Sequence, residues 1–218
     1  MRTFSILAVF GLLTPLCIAG PVSICDANSK NLVANCGFET GGFTSWSLAG
    51  LDVPRELNNL YGVEGIDPDG IAPNSGSFQA YFGDLVSNAT TLSQTLATKP
   101  NEYYTVSWDL AQDTPLISPY SNAFSASLGG TNIARLTALG VQGYTQYSFT
   151  VAVFSTSSTL SFTLGNDLGE FLLDDVVVTD VGPTPEPATW LLMFSSGAML
   201  CFSWRMKMKS EVRLIFYT

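Results

Sequence analysis

Between its two apolar ends this chain reads as all-β, an antiparallel sandwich of roughly eight to ten strands. Three observations predict that class. Short segments alternate apolar and polar side chains with a period of two, which turns one face of a strand to a core and the other to water. Turn residues separate these segments, and Gly129-Gly130 between Ala123–Leu128 and Thr131–Leu139 has the spacing of a hairpin. The interior shows no helical apolar period.

The chain opens on Arg2 and an apolar stretch from Phe4 to Ile18, interrupted only by Ser5 and Thr14. Cys17-Ile18-Ala19 then puts small residues where a signal peptidase reads, so residues 1–20 are expected to be a signal peptide. The expected exported domain is 21–182. Its two cysteines, Cys25 and Cys36, are predicted to form a disulfide in an oxidising compartment.

Glycines and small polar residues from Asn35 to Trp46 mark tight turns, with Phe38, Phe43 and Trp46 as apolar anchors. Trp46–Val53 reads as a strand. Pro54–Gly76 reads as one long loop, with a turn at Asp67-Pro68-Asp69-Gly70. Beyond it the alternation is regular. Phe78, Ala80 and Phe82 share a face. So do Tyr104, Val106, Trp108 and Leu110, then Phe124, Ala126 and Leu128, then Tyr147, Phe149, Val151 and Val153, then Leu160, Phe162 and Leu164. In the last strand alternation puts Leu172, Asp174, Val176 and Val178 on one face. An aspartate on an otherwise apolar face is costly unless it is paired or bound to a cation.

Charge and composition exclude several functions. Residues 21–182 hold sixteen acidic residues against four basic ones, a net of −12, which repels nucleic acid and anionic lipid heads. With no histidine in the chain, serine–histidine–aspartate and cysteine–histidine catalysis are ruled out. Acids are plentiful, so Glu64, Asp67 and Asp109 are each available for glycoside hydrolysis, with no spacing to choose among them.

The chain closes on Pro183-Thr184-Pro185-Glu186-Pro187, an uncharged run from Ala188 to Trp204, and Arg205, Lys207 and Lys209. A helix over 188–204 would span about 25 Å, near the lower limit for crossing a bilayer. The following cations favour the cytoplasmic side, making 205–218 a basic cytoplasmic tail and placing everything before Pro185 outside. Pro185 and Pro187 remove two backbone donors and favour an extended approach to the membrane. This tail resembles that of PEP-CTERM proteins, exported proteins of Gram-negative bacteria. The resemblance rests on Pro185, Glu186 and Pro187, the apolar run, and Arg205 with Lys207 and Lys209. It implies export through the inner membrane, transient anchoring through the C-terminal transmembrane helix, processing by an exosortase, and a cell-surface or extracellular-matrix destination. A plain permanent anchor is the alternative. Residues 210–218 continue beyond the point where such tails usually stop.

A second resemblance covers about Asn31 to Thr179. Gly37-Phe38-Glu39 with Trp46, and Leu173-Asp174-Asp175-Val176, resemble the two ends of carbohydrate-binding-module-like jelly rolls. The resemblance implies a non-catalytic jelly-roll sandwich and a structural calcium ion held by Glu39 and Asp174 with backbone carbonyls. It also implies binding of extracellular polysaccharide through exposed aromatics, for which Tyr61, Tyr81 and Tyr120 are the candidates. Tyr103 and Tyr144 are further tyrosines off the apolar parity or near loops. A hydrolase, and an adhesin or spacer that binds protein, remain as alternatives.

Overall fold

The computed structural model describes residues 22–50 and 60–183. The described residues form ten strands: β1 Ser47–Ala49, β2 Tyr61–Glu64, β3 Gln79–Phe82, β4 Thr90–Ala97, β5 Glu102–Gln112, β6 Asn122–Leu128, β7 Thr131–Thr137, β8 Gln142–Val153, β9 Ser157–Asn166 and β10 Phe171–Gly182. They build two antiparallel five-stranded sheets, in the orders β1-β4-β9-β6-β7 and β2-β3-β10-β5-β8. The expected all-β jelly-roll sandwich is therefore the observed fold. By internal contacts the chain divides into Met1–Asp180 and Val181–Thr218, and only 181–183 of the second unit are described. Among the described residues no helix is long and apolar enough to cross a membrane. The expected signal peptide and the 188–204 span lie outside the described residues.

The core lies between the sheets. Trp108 of β5 is fully buried and packs against Phe124, Tyr147, Phe149 and Phe162, with ring centroids 5.4–5.8 Å apart. These rings come from the period-two faces read in the sequence, where each strand commits one side to burial.

Three readings need correction. The long loop contains a strand: Tyr61–Glu64 pairs with β3, Tyr61 opposite Phe82 and Val63 opposite Ala80. A strand at 90–97 also escaped the pattern. Its core face carries Thr90 and Gln94 beside Leu92 and Leu96, and that polar content masks the alternation. Finally, the last strand changes phase. Phe171, Leu173, Val176 and Val178 join the core, while Leu172 pairs opposite Tyr81 on the other side of the sheet. Asp175 adopts a left-handed φ of 49° and inserts one residue into the alternation. Asp174 thus leaves the core face.

Candidate functional site

The expected disulfide is present. Cys25 and Cys36 are bonded and close an 11-residue separation. Among the described residues, Cys25, Asp26 and Cys36 form the one group of three acids or thiols tight enough for a metal, but its sulfurs are spent in the disulfide. The loop they close runs along the second half of β10, with Leu32 N donating to Val178 O and Val176 N to Cys36 O.

Asp175 ties that loop to two other segments. Its Oδ1 accepts Ser23 Oγ at 2.9 Å and Cys25 N at 3.2 Å; its Oδ2 accepts Asn74 Nδ2 at 2.9 Å. The Ser75 hydroxyl lies 2.7 Å from both oxygens. Beside it Asp174 is 0% exposed. Its Oδ1 accepts Asp175 N at 2.7 Å and its Oδ2 accepts Ser75 N at 3.2 Å. Burial first, and then the charge of Asp175, pushes the Asp174 carboxyl up to about 8. Glu39 binds the next two residues of the same segment, accepting Ser77 N at 2.9 and 3.0 Å and Phe78 N at 3.2 Å. Gly76 sits between them at φ +68°, where a Cβ would collide with Glu39 Oε1.

The turn geometry therefore brings Glu39 and Asp174 to one segment, 75–78. The donor set is hard, anionic and partly buried, and no described cation faces it. Glu39 Oε2 accepts one N–H and keeps a second lone pair, and both Asp174 oxygens are hard donors, so the residues fit a calcium ion by their chemistry.

The tyrosines divide. Tyr61 is half-buried on the core side of β2, its ring 6.3 Å from that of Phe43. Tyr120 is 48% exposed in the loop before β6. Tyr81 lies on the outer side of β3 with its ring over Gly62, where no Cβ would fit. Burial and the charges of Glu170 and Glu64 raise its phenol. Tyr144, expected in a loop, is on β8 and donates its hydroxyl to Gln79 Oε1 at 2.6 Å.

Tyr81 leads to an acidic cluster that sequence reading only half saw. Glu64 and Asp67 belong to it, joined by Asp69, Asp113 and Glu170. Burial, then Glu64, Asp113, Asp67 and Asp69, push the Glu170 carboxyl up to about 7. Burial and Asp67 likewise raise Glu64. Asp109 lies apart, raised by burial and by Asp175. Asp113 Oδ1 accepts Glu170 N at 2.7 Å, fixing the start of β10 against the end of β5.

Glu170, Asp113 and Asp69 line a cavity of about 430 Å³ together with Asn166, Leu85 and Leu168. That volume lies in the range of small-molecule sites, roughly 300–1,000 Å³. Asn166 is 1% exposed; its Oδ1 accepts Gly169 N at 3.2 Å, while its Nδ2 has no partner. Asp67, 4% exposed, has an unpartnered Oδ2, and Glu64 an unpartnered Oε1. No spacing in the sequence joins residues 64–69 to 113 and 166–170; strand pairing does.

Comparison with known proteins adds a motif near the C-terminal end of the sequence and the fold. Residues 183–207 match the PEP-CTERM protein-sorting motif. Pro185, Glu186, Pro187, Arg205 and Lys207 fall within that match; Lys209 lies just beyond it. No curated protein matches the chain. Among solved structures, the enzymatically active domain of bacteriophage CBA120 tailspike protein 4 aligns at 14% identity and TM-score 0.52, over 70% of this chain and 22% of that one. The likeness is one of fold, and this chain spans under a quarter of that protein. TmCBM61 in complex with β-1,4-galactotriose aligns at 18% identity and TM-score 0.48, over 70% of this chain and 99% of that one. The CBM22-1–GH10 modules of a Clostridium thermocellum endo-1,4-β-D-xylanase, complexed with xylohexaose, align at 17% and 0.49, over 71% and 29%.

Proposed function

We propose that this is a non-catalytic exported protein whose β-sandwich binds extracellular polysaccharide at the end of its second sheet. The tail delivers it through the inner membrane, holds it transiently, and is processed by an exosortase on the way to the cell surface or matrix. The match of residues 183–207 to a protein-sorting motif carries the delivery half. The binding half is supported by the cavity at the start of β10, where the buried Asn166 Nδ2 stands unpartnered, and by Tyr81, whose phenol feels the charge of Glu170 in the cavity lining. Sugars offer both hydroxyl donors and oxygen acceptors, and their C–H faces stack on aromatic rings. A structural calcium on Glu39 and Asp174 belongs to the same reading and would fix the 75–78 segment.

A glycoside hydrolase is the second reading, favoured by the elevated Glu170 beside other carboxylates, a pattern that general acids share. One experiment separates the two. The full chain in detergent is run through gels containing bacterial exopolysaccharides, and reducing ends are assayed in parallel. Retardation without reducing ends is the expected result, with Tyr81→Ala weakening it about 10-fold. Released reducing ends would replace the first reading by the second, and absence of both would remove sugar recognition.

A further inference from the structure

We propose that the cavity at the start of β10 takes a glycan unit bearing a protonated amine, with Glu170 as its counter-ion. The proposal rests on the polysaccharide-binding reading and names the class of sugar.

Three observations carry it. The first is charge. Among the described residues, Glu64, Asp67, Asp69 and Asp113 all bear on Glu170, and all four are acids. The described cations Lys99 and Arg135 lie elsewhere, Lys99 bonded to Asp180 at 2.7 Å and Arg135 in a separate pocket beside Asn132, and the third, Lys30, is exposed in the disulfide loop, where its backbone N–H donates to Asn28 Oδ1. The second is polar vacancy at depth. Asn166 lines the cavity nine-tenths buried and more, its Nδ2 unmatched, while Asp67 Oδ2 and Glu64 Oε1 are unmatched in the acidic cluster behind Glu170. A ligand that brings donors to the acids and a hydroxyl or ring oxygen to Asn166 would satisfy both sets. The third is size. Among the described residues these carboxylates do not bring three ligand atoms within 4.8 Å of one another, so the acids are spread around the space rather than gathered on one point. The cavity of about 430 Å³ suits an organic group instead. Leu85 and Leu168 at its mouth supply apolar surface for a sugar face. An amino sugar meets all three conditions; a neutral sugar meets only the last two.

The test is calorimetric titration of the full chain in detergent with three hexasaccharides: β-1,4-glucosamine, its N-acetylated counterpart and β-1,4-glucose. Calcium chloride alone forms a fourth arm. The amine-bearing hexamer is expected to bind about 10-fold tighter than either neutral one at low salt, as one charged hydrogen bond provides. That advantage should shrink as salt is added. Glu170→Gln, with its fold checked by thermal unfolding, should abolish the preference, while the exposed Asp26→Asn should keep it. Equal affinities for amine and acetamide would overturn the inference and leave polysaccharide binding standing. A preference that survives Glu170→Gln would reassign it to diffuse attraction by the acidic surface, and a calcium signal lost in Glu170→Gln would reassign the cavity to a metal. No binding by any hexamer would remove both this inference and the reading beneath it.

Discussion

Two carboxylates show how the neighbours of a buried or half-buried acid decide what it does. Asp175 is surrounded by donors from two segments, 23–25 and 74–75, so both its carboxyl oxygens are hydrogen-bonded. Asp175→Ala strands those donors and places alanine at φ 49°, which aspartate tolerates better. It also relieves the repulsion on Asp174, so the net loss falls below the sum of the bonds. We expect about 2 kcal/mol of destabilisation by urea unfolding, against under about 0.5 for the exposed Asp26→Ala. Equal effects would mean that Asp175 is not the tie between segments. Glu170 faces acids instead. Its folded-state carboxyl is raised from 4.5 to about 7, so in that window the folded state holds a proton that the unfolded state has lost. Stability from this group is therefore highest below pH 4.5, falls as pH rises to about 7, and is flat above. Because Glu170 is only half-buried, solvent screening reduces the effect to about 1–2 kcal/mol, a few degrees in melting temperature. Glu170→Gln should melt higher than the parent at pH 8 and equal to it at pH 4. Parallel curves across that range would show that the carboxyl is not perturbed.

At the scale of elements, the 75–78 segment and β10 form one unit through Glu39, Asp174 and Asp175. With calcium on Glu39 and Asp174, a free concentration 100 times Kd adds about 2.7 kcal/mol to stability, several degrees in melting temperature. Chelator should remove that gain, and Glu39→Gln or Asp174→Asn should abolish the response. Identical melting with calcium and with chelator would leave the two acids as acceptors for backbone N–H groups alone. The same unit shows where sequence reading stopped. Glu39 and Asp174 were legible as partners, although they are 135 positions apart in the chain. The face of Asp174 was not, because a single left-handed residue, Asp175, shifts the parity of everything after it. β4 and β2 were hidden for other reasons: Thr90 and Gln94 dilute the core face of one, and the other has only four residues with Gly62 among them. Strands such as β5, β6 and β9 were plain, because their core faces are apolar through the middle and the buried Gln112, Asn122, Ser158 and Asn166 sit only at or near the ends. The cavity was not, since Asp113, Asn166 and Glu170 meet only when the ends of β5, β9 and the start of β10 are aligned by pairing across two sheets.

At the scale of the whole molecule, the chain is divided by physical role. Residues 21–182 carry −12 net charge, while 205–209 carry three cations and no acid. On the proposed reading the acidic part is repelled by anionic lipid and the basic part is retained on the cytoplasmic side, which would hold the two ends of a membrane intermediate on opposite sides. Pro183, Pro185 and Pro187, which a helix interior does not accommodate, on the same proposed reading mark the segment before the apolar run as the one an exosortase cuts. On that reading anchoring and cutting are separable: the apolar run would serve the first and the Pro-Glu-Pro segment the second. Intact mass of the protein expressed with and without an exosortase tests the division. With the enzyme, a species beginning near Gly20 or Pro21 and ending near Pro185 to Pro187 is expected; without it, the species retains residues 188–218 and stays with the membrane. Glu186→Ala should leave the membrane-bound species in place while preventing its conversion, because the charge-free run and Arg205, Lys207 and Lys209 are untouched. Retention of 188–218 in the presence of an active exosortase would make the tail a permanent anchor, with sugar binding exercised at the membrane surface rather than in the matrix.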